Sequence, residues 1–321
     1  MRIAELWRYP VKSMGGERLN AVEVDARGVH ADRLWAVRDL ELGAVTTARR
    51  LPVLLGCSAR FAAEPPPDAG PGVVAEVVIT FPDGEERASS DSEVHELLSA
   101  LTGRRVELTP LPPVGDRAAY RGPLATQNDL RRQFDIPDDE PLPDFTMFPV
   151  RKLAELARYA TPVGTFADAY PLHLLTRASL ASMAEQAPGA TFDPRRFRPS
   201  VLLETDDAPG LVENGWLGGT LTNGTTVVRP QIPTIRCSMP ARRQPGLKAE
   251  PDVVRTVRRQ AEGCLGVYAE VARGGRLAVG DTMTFTPAAA PTPFGAAAGR
   301  LRAAARRGAV KASGVVMPKG R

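Results

Sequence analysis

Residues 229–247 read RPQIPTIRCSMPARRQPGL. A strand-like run, TTVVRP (residues 225–230), leads into this stretch, and its centre places Cys237 directly after Arg236 in a loop rich in proline and arginine. A thiol is a useful nucleophile or metal ligand only as the thiolate, and nearby cations favour that form by offsetting its charge. Arg236, Arg242 and Arg243 are all close in sequence. A lone cysteine is ordinarily a small packing residue, so the rest of the chain decides whether Cys237 has chemistry to do.

The other two cysteines are Cys57 and Cys264. An odd count without CxxC argues against a disulfide framework, a structural zinc site or a cysteine-ligated iron–sulfur cluster. His30, His95 and His173 make no metal motif at close spacing. The N-terminus lacks a signal-peptide apolar run, and no stretch of 18 apolar residues occurs. A cytoplasmic protein with no membrane partner is therefore expected. The net charge of +4 has a local origin. Without the seven bases of residues 288–321, a stretch with no acid, 34 bases face 37 acids. The basicity belongs to an Ala/Arg-rich tail expected to be disordered, not to a nucleic-acid-binding fold.

Working along the chain, IAELWRYPVKS reads as a strand that stops at Pro10, followed by strands in LNAVEVDARG, DRLWAVRD and VLLGCSARF. VVAEVVITFPDGEER reads as a hairpin turning at Asp83-Gly84. A helix then carries Val94, Leu97, Leu98 and Leu101 on one face, capped by Ser90 or Asp91, with Ser90 and Glu93 fitting a capping box and a stop at Gly103. Proline-rich acidic loops over roughly residues 109–145 mark a domain boundary. Beyond it, Thr176 caps a short helix, and Pro251 opens another that carries Val253, Val254, Val257 and Ala261. LGVYAEVARGGRLAVGDTMTF reads as a hairpin with a Gly274-Gly275 turn. The expected fold is α+β and β-rich. It has an N-terminal α/β domain over 1–115, a β-barrel with peripheral helices over 116–287, and the tail over 288–321.

Several short stretches suit anion binding. In YPVKS, Lys12 supplies charge and Ser13 a directional hydrogen bond, while Gly15 and Gly16 allow close backbone approach. Arg33, between Asp32 and Trp35, can clamp an anion or pair with Asp32. RRFRPS offers Arg195, Arg196 and Arg198. Neither GxxxxGK[ST] nor GxGxxG is present, so the usual nucleotide fingerprints fail. A thiolate with several anion-binding groups, no histidine base and no zinc set suits a large anionic cofactor bonded through sulfur.

YPVKS, DRLW, FADAYPLHLLT, RRFRPS, IRCSMPARRQPGL, LGVY and VGD occur here in the order in which MOSC proteins carry them. The chain resembles that family over about residues 1–287: an N-terminal MOSC-associated domain followed by a MOSC β-barrel. The family is related to the amidoxime-reducing component and to the C-terminal part of molybdenum cofactor sulfurase. The resemblance implies a molybdenum cofactor, Mo-molybdopterin, whose metal is bound by Cys237. It implies cofactor contacts from Lys12, Ser13, Arg33, Arg198, Ser200, Arg236 and Tyr268, and a place for Asp168 beside the metal, assisting proton delivery. Two departures stand out. Ser200 replaces the asparagine often found after RFRP, and SMPA follows the RC pair where the family often has two threonines.

The implied activity is an oxidoreductase that reduces N-hydroxylated or N-oxide compounds. No ferredoxin-like cysteine set follows the barrel, so electrons are expected from an external flavin or iron–sulfur reductase. The alternative is a non-redox carrier of cofactor or sulfur, holding sulfur on Cys237 as a persulfide.

Overall fold

The computed structural model describes residues 1–123, 125–206 and 210–288. The expected basic tail, past residue 288, lies outside the described residues. Among the described residues are six α-helices: α1 (Glu93–Thr102), α2 (Gln127–Phe134), α3 (Val150–Arg158), α4 (Arg177–Gln186), α5 (Pro194–Phe197) and α6 (Pro251–Gln260). No described helix is long and apolar enough to cross a membrane.

An eight-stranded sheet forms the frame. Its spatial order is Thr284–Thr286, Thr220–Thr222, Val227–Ile235, Cys264–Arg273, Leu172–Thr176, Val201–Glu204, Arg2–Arg8 and Glu17–Leu19. The neighbours are antiparallel except Leu172–Thr176 with Val201–Glu204. A parallel pair needs a crossover, and α4 and α5 supply it. Leu172–Thr176 is buried along its whole length, which is why it reads as the nearly continuous apolar run LHLLT.

The α+β, β-rich reading holds, but the sheet does not close into a barrel among the described residues. Its two edges are the three-residue strands Thr284–Thr286 and Glu17–Leu19. The physical reason lies in the expected Gly274-Gly275 hairpin. Strand Gly275–Ala278 does not fold back on Cys264–Arg273; it crosses to pair with Ala21–Asp25. The N-terminal strand Arg2–Arg8 likewise pairs with Val201–Glu204. Residues far apart in sequence therefore share one core, in which Ile3, Leu6, Val22 and Val24 pack with Val201, Val228 and Val267.

A second core is built mostly from residues 11–111, around Leu54, Leu55, Ile79, Val94 and Leu98. Here α1 lays its apolar face, as the periodicity predicts, and Gly103 ends it in the left-handed region at φ 65°. The Ser90–Glu93 capping box does not form. The Ser90 hydroxyl donates instead to Glu76, and the Asp91 carboxylate accepts from the Glu93 N–H. The Val53–Gly56 half of the strand expected in VLLGCSARF is a 3-10 turn over Pro52–Gly56, and the strand covers only Ser58–Phe61. The supposed loop near 109–145 contains α2, opened by a capping box between Thr126 and Asp129.

Candidate anion-binding cleft around Cys237

The cleft gathers side chains from distant parts of the chain, from Lys12 to Tyr268. Strand Val227–Ile235 contains Pro230 and Pro233, which cannot donate to the ladder, and its pairing slips beside each of them. Pairing ends at Ile235 opposite Cys264, and the chain leaves the sheet at Arg236 and Cys237. The Cys237 side chain is half-buried, whereas Cys57 and Cys264 are buried. A cleft of about 810 Å³, open solvent at its mouth included, is lined by Cys237, Lys12, Ser13, Arg33, Asp168, Arg198, Ser200, Arg236 and Tyr268. Every site residue expected from the sequence therefore meets in one place.

Pro10 ends the first strand, and the turn after it holds Ser13 in the left-handed region at φ 73°. Lys12 is 4% exposed; its ammonium donates to Phe166 O at 2.7 Å and to Asp168 Oδ1 at 2.5 Å. The Ser13 oxygen accepts from the Ala48 N–H at 3.0 Å, which leaves its own proton as a donor. Gly16 permits a close approach, but to the chain itself: a Cβ there would lie 2.3 Å from Arg8 O.

Tyr9 organises two of the arginines. Its ring lies 4.1 Å from the Arg198 guanidinium and 5.2 Å from that of Arg33. Arg33 pairs with Asp32, whose other carboxylate oxygen accepts from the Tyr9 N–H at 2.7 Å. Arg198 caps α5 at φ 55°, and this left-handed turn separates it from Arg195 and Arg196. Arg195 pairs with Asp193 at the surface. Arg196 backs the wall of the cleft, its guanidinium consumed by Thr191 O, Pro240 O, Lys248 O and Glu250. Arg198 donates to Met14 O through Nη1, while its buried Nη2 has no partner among the described residues.

His173, in the same apolar strand, was not among the expected site residues. Burial, reinforced by Arg236, pulls its pKa down to about 3, so the ring is neutral. Nδ1 lies 3.4 Å from Arg198 O and Nε2 lies 3.4 Å from Arg236 Nη1. A neutral ring satisfies both contacts when Nδ1 carries the proton and Nε2 accepts. Ser200 locks the same histidine, its oxygen accepting from the His173 N–H at 3.2 Å. Arg236 also donates to Phe197 O at 2.7 Å, and its buried Nε has no partner among the described residues. Tyr268 stacks on Tyr170 at 5.5 Å and meets His173 edge-on; burial, with Asp168 nearby, pushes its hydroxyl up to about 12.

Arg49 is a second residue that sequence reading missed. It donates to Asp168 Oδ1 at 3.1 Å, the same oxygen that takes Lys12. Burial works to raise the Asp168 pKa, but Arg49, Lys12 and Arg33 outweigh it and hold the carboxyl well below the usual carboxylate range. Burial pulls Lys12 down to about 8 against the opposing effect of Asp168. Burial, with Arg33 adding to it, lowers Arg198 to about 10.

Six cationic side chains, Lys12, Arg33, Arg49, Arg196, Arg198 and Arg236, line the cleft, and among the described residues they pair with three carboxylates, Asp32, Asp168 and Glu250. Unpartnered buried guanidinium N–H groups are costly unless an acceptor reaches them. No cluster of three His, Cys, Asp or Glu exists among the described residues. The cleft thus places excess positive charge and unpartnered buried guanidinium nitrogens beside one thiol.

Residues 1–88 match the MOSC N-terminal beta barrel domain and residues 162–284 match the MOSC domain. The chain belongs to the MOSC family. MOSC domains are linked to binding of the molybdenum cofactor. Among solved structures, the YuaD protein from Bacillus subtilis is similar at 11% identity over 88% of this chain and 93% of that one, with a TM-score of 0.41. YiiM from Geobacillus stearothermophilus is similar at 22% identity over 36% of this chain and 54% of that one, with a TM-score of 0.29. No curated protein matches the chain.

Proposed function

We propose that this protein is a molybdenum-cofactor-dependent oxidoreductase that reduces N-hydroxylated or N-oxide compounds with electrons from a separate flavin or iron–sulfur reductase. The observation that carries the reading is the single half-buried thiol of Cys237 in a cleft with excess positive charge and unpartnered buried donors on Arg198 and Arg236. When bound, the cofactor supplies two-electron oxygen-atom transfer. Cys237 would ligate the metal as a soft thiolate. Lys12, Ser13, Arg33 and Arg198 would hold the cofactor's phosphate and neighbouring groups, with Arg236, Ser200 and Tyr268 along the pterin.

The overall change is R–NHOH + 2e⁻ + 2H⁺ → R–NH₂ + H₂O, so the site must deliver protons. Arg49, Lys12 and Arg33 hold the Asp168 carboxyl well below the usual carboxylate range, which favours its ionised form at neutral pH, so it is not expected to donate the proton itself. Its carboxylate, 44% exposed, instead orients a proton carrier: the Lys12 ammonium that it touches, or water. The chain is expected to be cytoplasmic, with no nucleic-acid or membrane partner. The test is molybdenum content by mass spectrometry on protein from a molybdate-fed, cofactor-competent host. Wild type should hold near-stoichiometric molybdenum, and Cys237→Ser should lose or loosen it and abolish reduction. Full turnover in that variant would sink the assignment.

A further inference from the structure

Residues 89–161 lie between the two family-matched regions, yet they contribute to the cleft. The contribution is Phe134, the last residue of α2. It is 8% exposed and lines the cleft. A buried aromatic ring that lines a cavity is placed to meet a ligand there.

Its position is fixed by polar contacts. The Ser238 N–H, one residue beyond Cys237, donates to Gln133 O at 3.0 Å. Arg258 on α6 donates to Phe134 O at 3.2 Å and to Asp135 O, and reaches Glu140 at 3.5 Å. Phe145 braces the ring edge-to-face, with centroids 5.7 Å apart at 76°. Ile235, Met239 and Tyr170 also line the cleft, so apolar surface accompanies the cations there.

We propose that Phe134 is a specificity-determining residue. It gives the substrate space beside Cys237 an aromatic wall that selects N-hydroxylated compounds carrying a flat aryl group, and Arg258 is the positioning residue that holds the wall. The inference rests on the function proposed above. Offset stacking and burial of an aryl ring favour it over a methyl group on the same reacting head. The cations of the cleft make no such distinction.

The experiment is calorimetric titration of the molybdenum-containing protein with benzohydroxamic and acetohydroxamic acids, which share a head group and differ only in ring against methyl. Wild type should prefer the ring by about tenfold or more. Phe134→Ala should bring the two affinities within about threefold, by weakening the aryl ligand while sparing the methyl one. Phe134→Leu, which keeps an apolar wall without the ring, should fall between, and Arg258→Gln should lower the ratio without changing molybdenum content. A ring preference that survives Phe134→Ala overturns the proposal. Equal binding of the two acids to molybdenum-bearing wild type overturns it and leaves the reductase reading standing. Wild type that holds no molybdenum and binds neither acid sinks both.

Discussion

Lys12 Nζ and Asp168 Oδ1 meet at 2.5 Å across a sequence separation of 156 residues, and Arg49 bonds the same carboxylate oxygen at 3.1 Å. The pair ties the N-terminal turn to the loop before the central strand. It also sets a pH window. Lys12 titrates near 8, and the protonated form attracts anions. Sulfate affinity should hold steady below pH 7 and fall about tenfold as pH rises through 8, the loss of one charge-assisted contact. Bound sulfate raises the Lys12 pKa, so the fall should extend somewhat above 8. Lys12→Arg should flatten the profile, because arginine stays charged. Asp168→Asn removes the carboxylate that supports the ammonium and should move the transition to lower pH. Calorimetry across pH 6–10 reads all three; a wild-type profile without a transition would refute the assignment.

Arg196 predicts a stability effect, not a loss of binding chemistry. Its side chain is fully buried, and its partners Pro240 O and Glu250 flank the loop that follows Cys237. Arg196→Ala leaves Glu250 with Lys248 at 3.4 Å and the Thr191 N–H at 2.9 Å as its remaining partners. Losing the buried charged bond with that partial compensation costs about 1–3 kcal/mol. Urea unfolding should show that loss, and the Arg196→Ala/Glu250→Gln double variant should recover part of it. Arg195→Ala, which removes a surface pair with Asp193, should change stability by less than about 1 kcal/mol.

Those two arginines also show what a sequence can and cannot reveal. RRFRPS presents three similar cations, and the left-handed turn at Arg198 separates the one with an unpartnered buried nitrogen from Arg195 and Arg196, which pair with Asp193 and Glu250. Nothing in residue type encodes that turn, because arginine rarely takes a positive φ. His173 did leave a signal: a polar ring inside a nearly continuous apolar run needs buried partners, here Arg236 and Arg198. Arg49 left none, since its neighbour Arg50 looks alike and pairs elsewhere, with Asp129. Apolar periodicity and end signals predicted α1 and α6 because both elements are local. The failed hairpin and the failed capping box share a different cause. A distant partner, Ala21–Asp25 in one case and Glu76 in the other, outcompeted the neighbour in sequence. Helix α2 was readable in principle: Thr126 and Asp129 form its cap, but flanking prolines made the region look like loop.

Gly266 gives a third prediction. It adopts φ +78°, and a Cβ there would lie 2.3 Å from His173 Nε2 and 2.7 Å from Leu174 O. The histidine nitrogen is the one that meets Arg236. Gly266→Ala therefore combines backbone strain with displacement of the ring that steadies a cleft arginine, at a cost on the order of 3 kcal/mol. A lowered Tm should accompany weaker sulfate binding. Gly103→Ala, also at positive φ but with nothing near its Cβ, should lower Tm while leaving sulfate binding intact.

The three thiols should separate sharply by reactivity. Burial pushes Cys57 up to about 12 and Cys264 up to about 11, so neither offers appreciable thiolate near pH 8. Both are also sterically enclosed, whereas Cys237 opens on the cleft. Native protein without bound cofactor should take up one carbamidomethyl group from iodoacetamide, mapped by peptide mass spectrometry to Cys237, and denatured protein should take up three. Molybdenum-loaded protein should be protected at Cys237, because a metal-bound thiolate is no longer free to attack. The same spectra judge the carrier alternative. An additional sulfur on the Cys237 peptide, removable by reductant, would mark a persulfide and count against a permanent metal ligand. Labelling of Cys57 or Cys264 at the same rate as Cys237 would contradict the burial that distinguishes them.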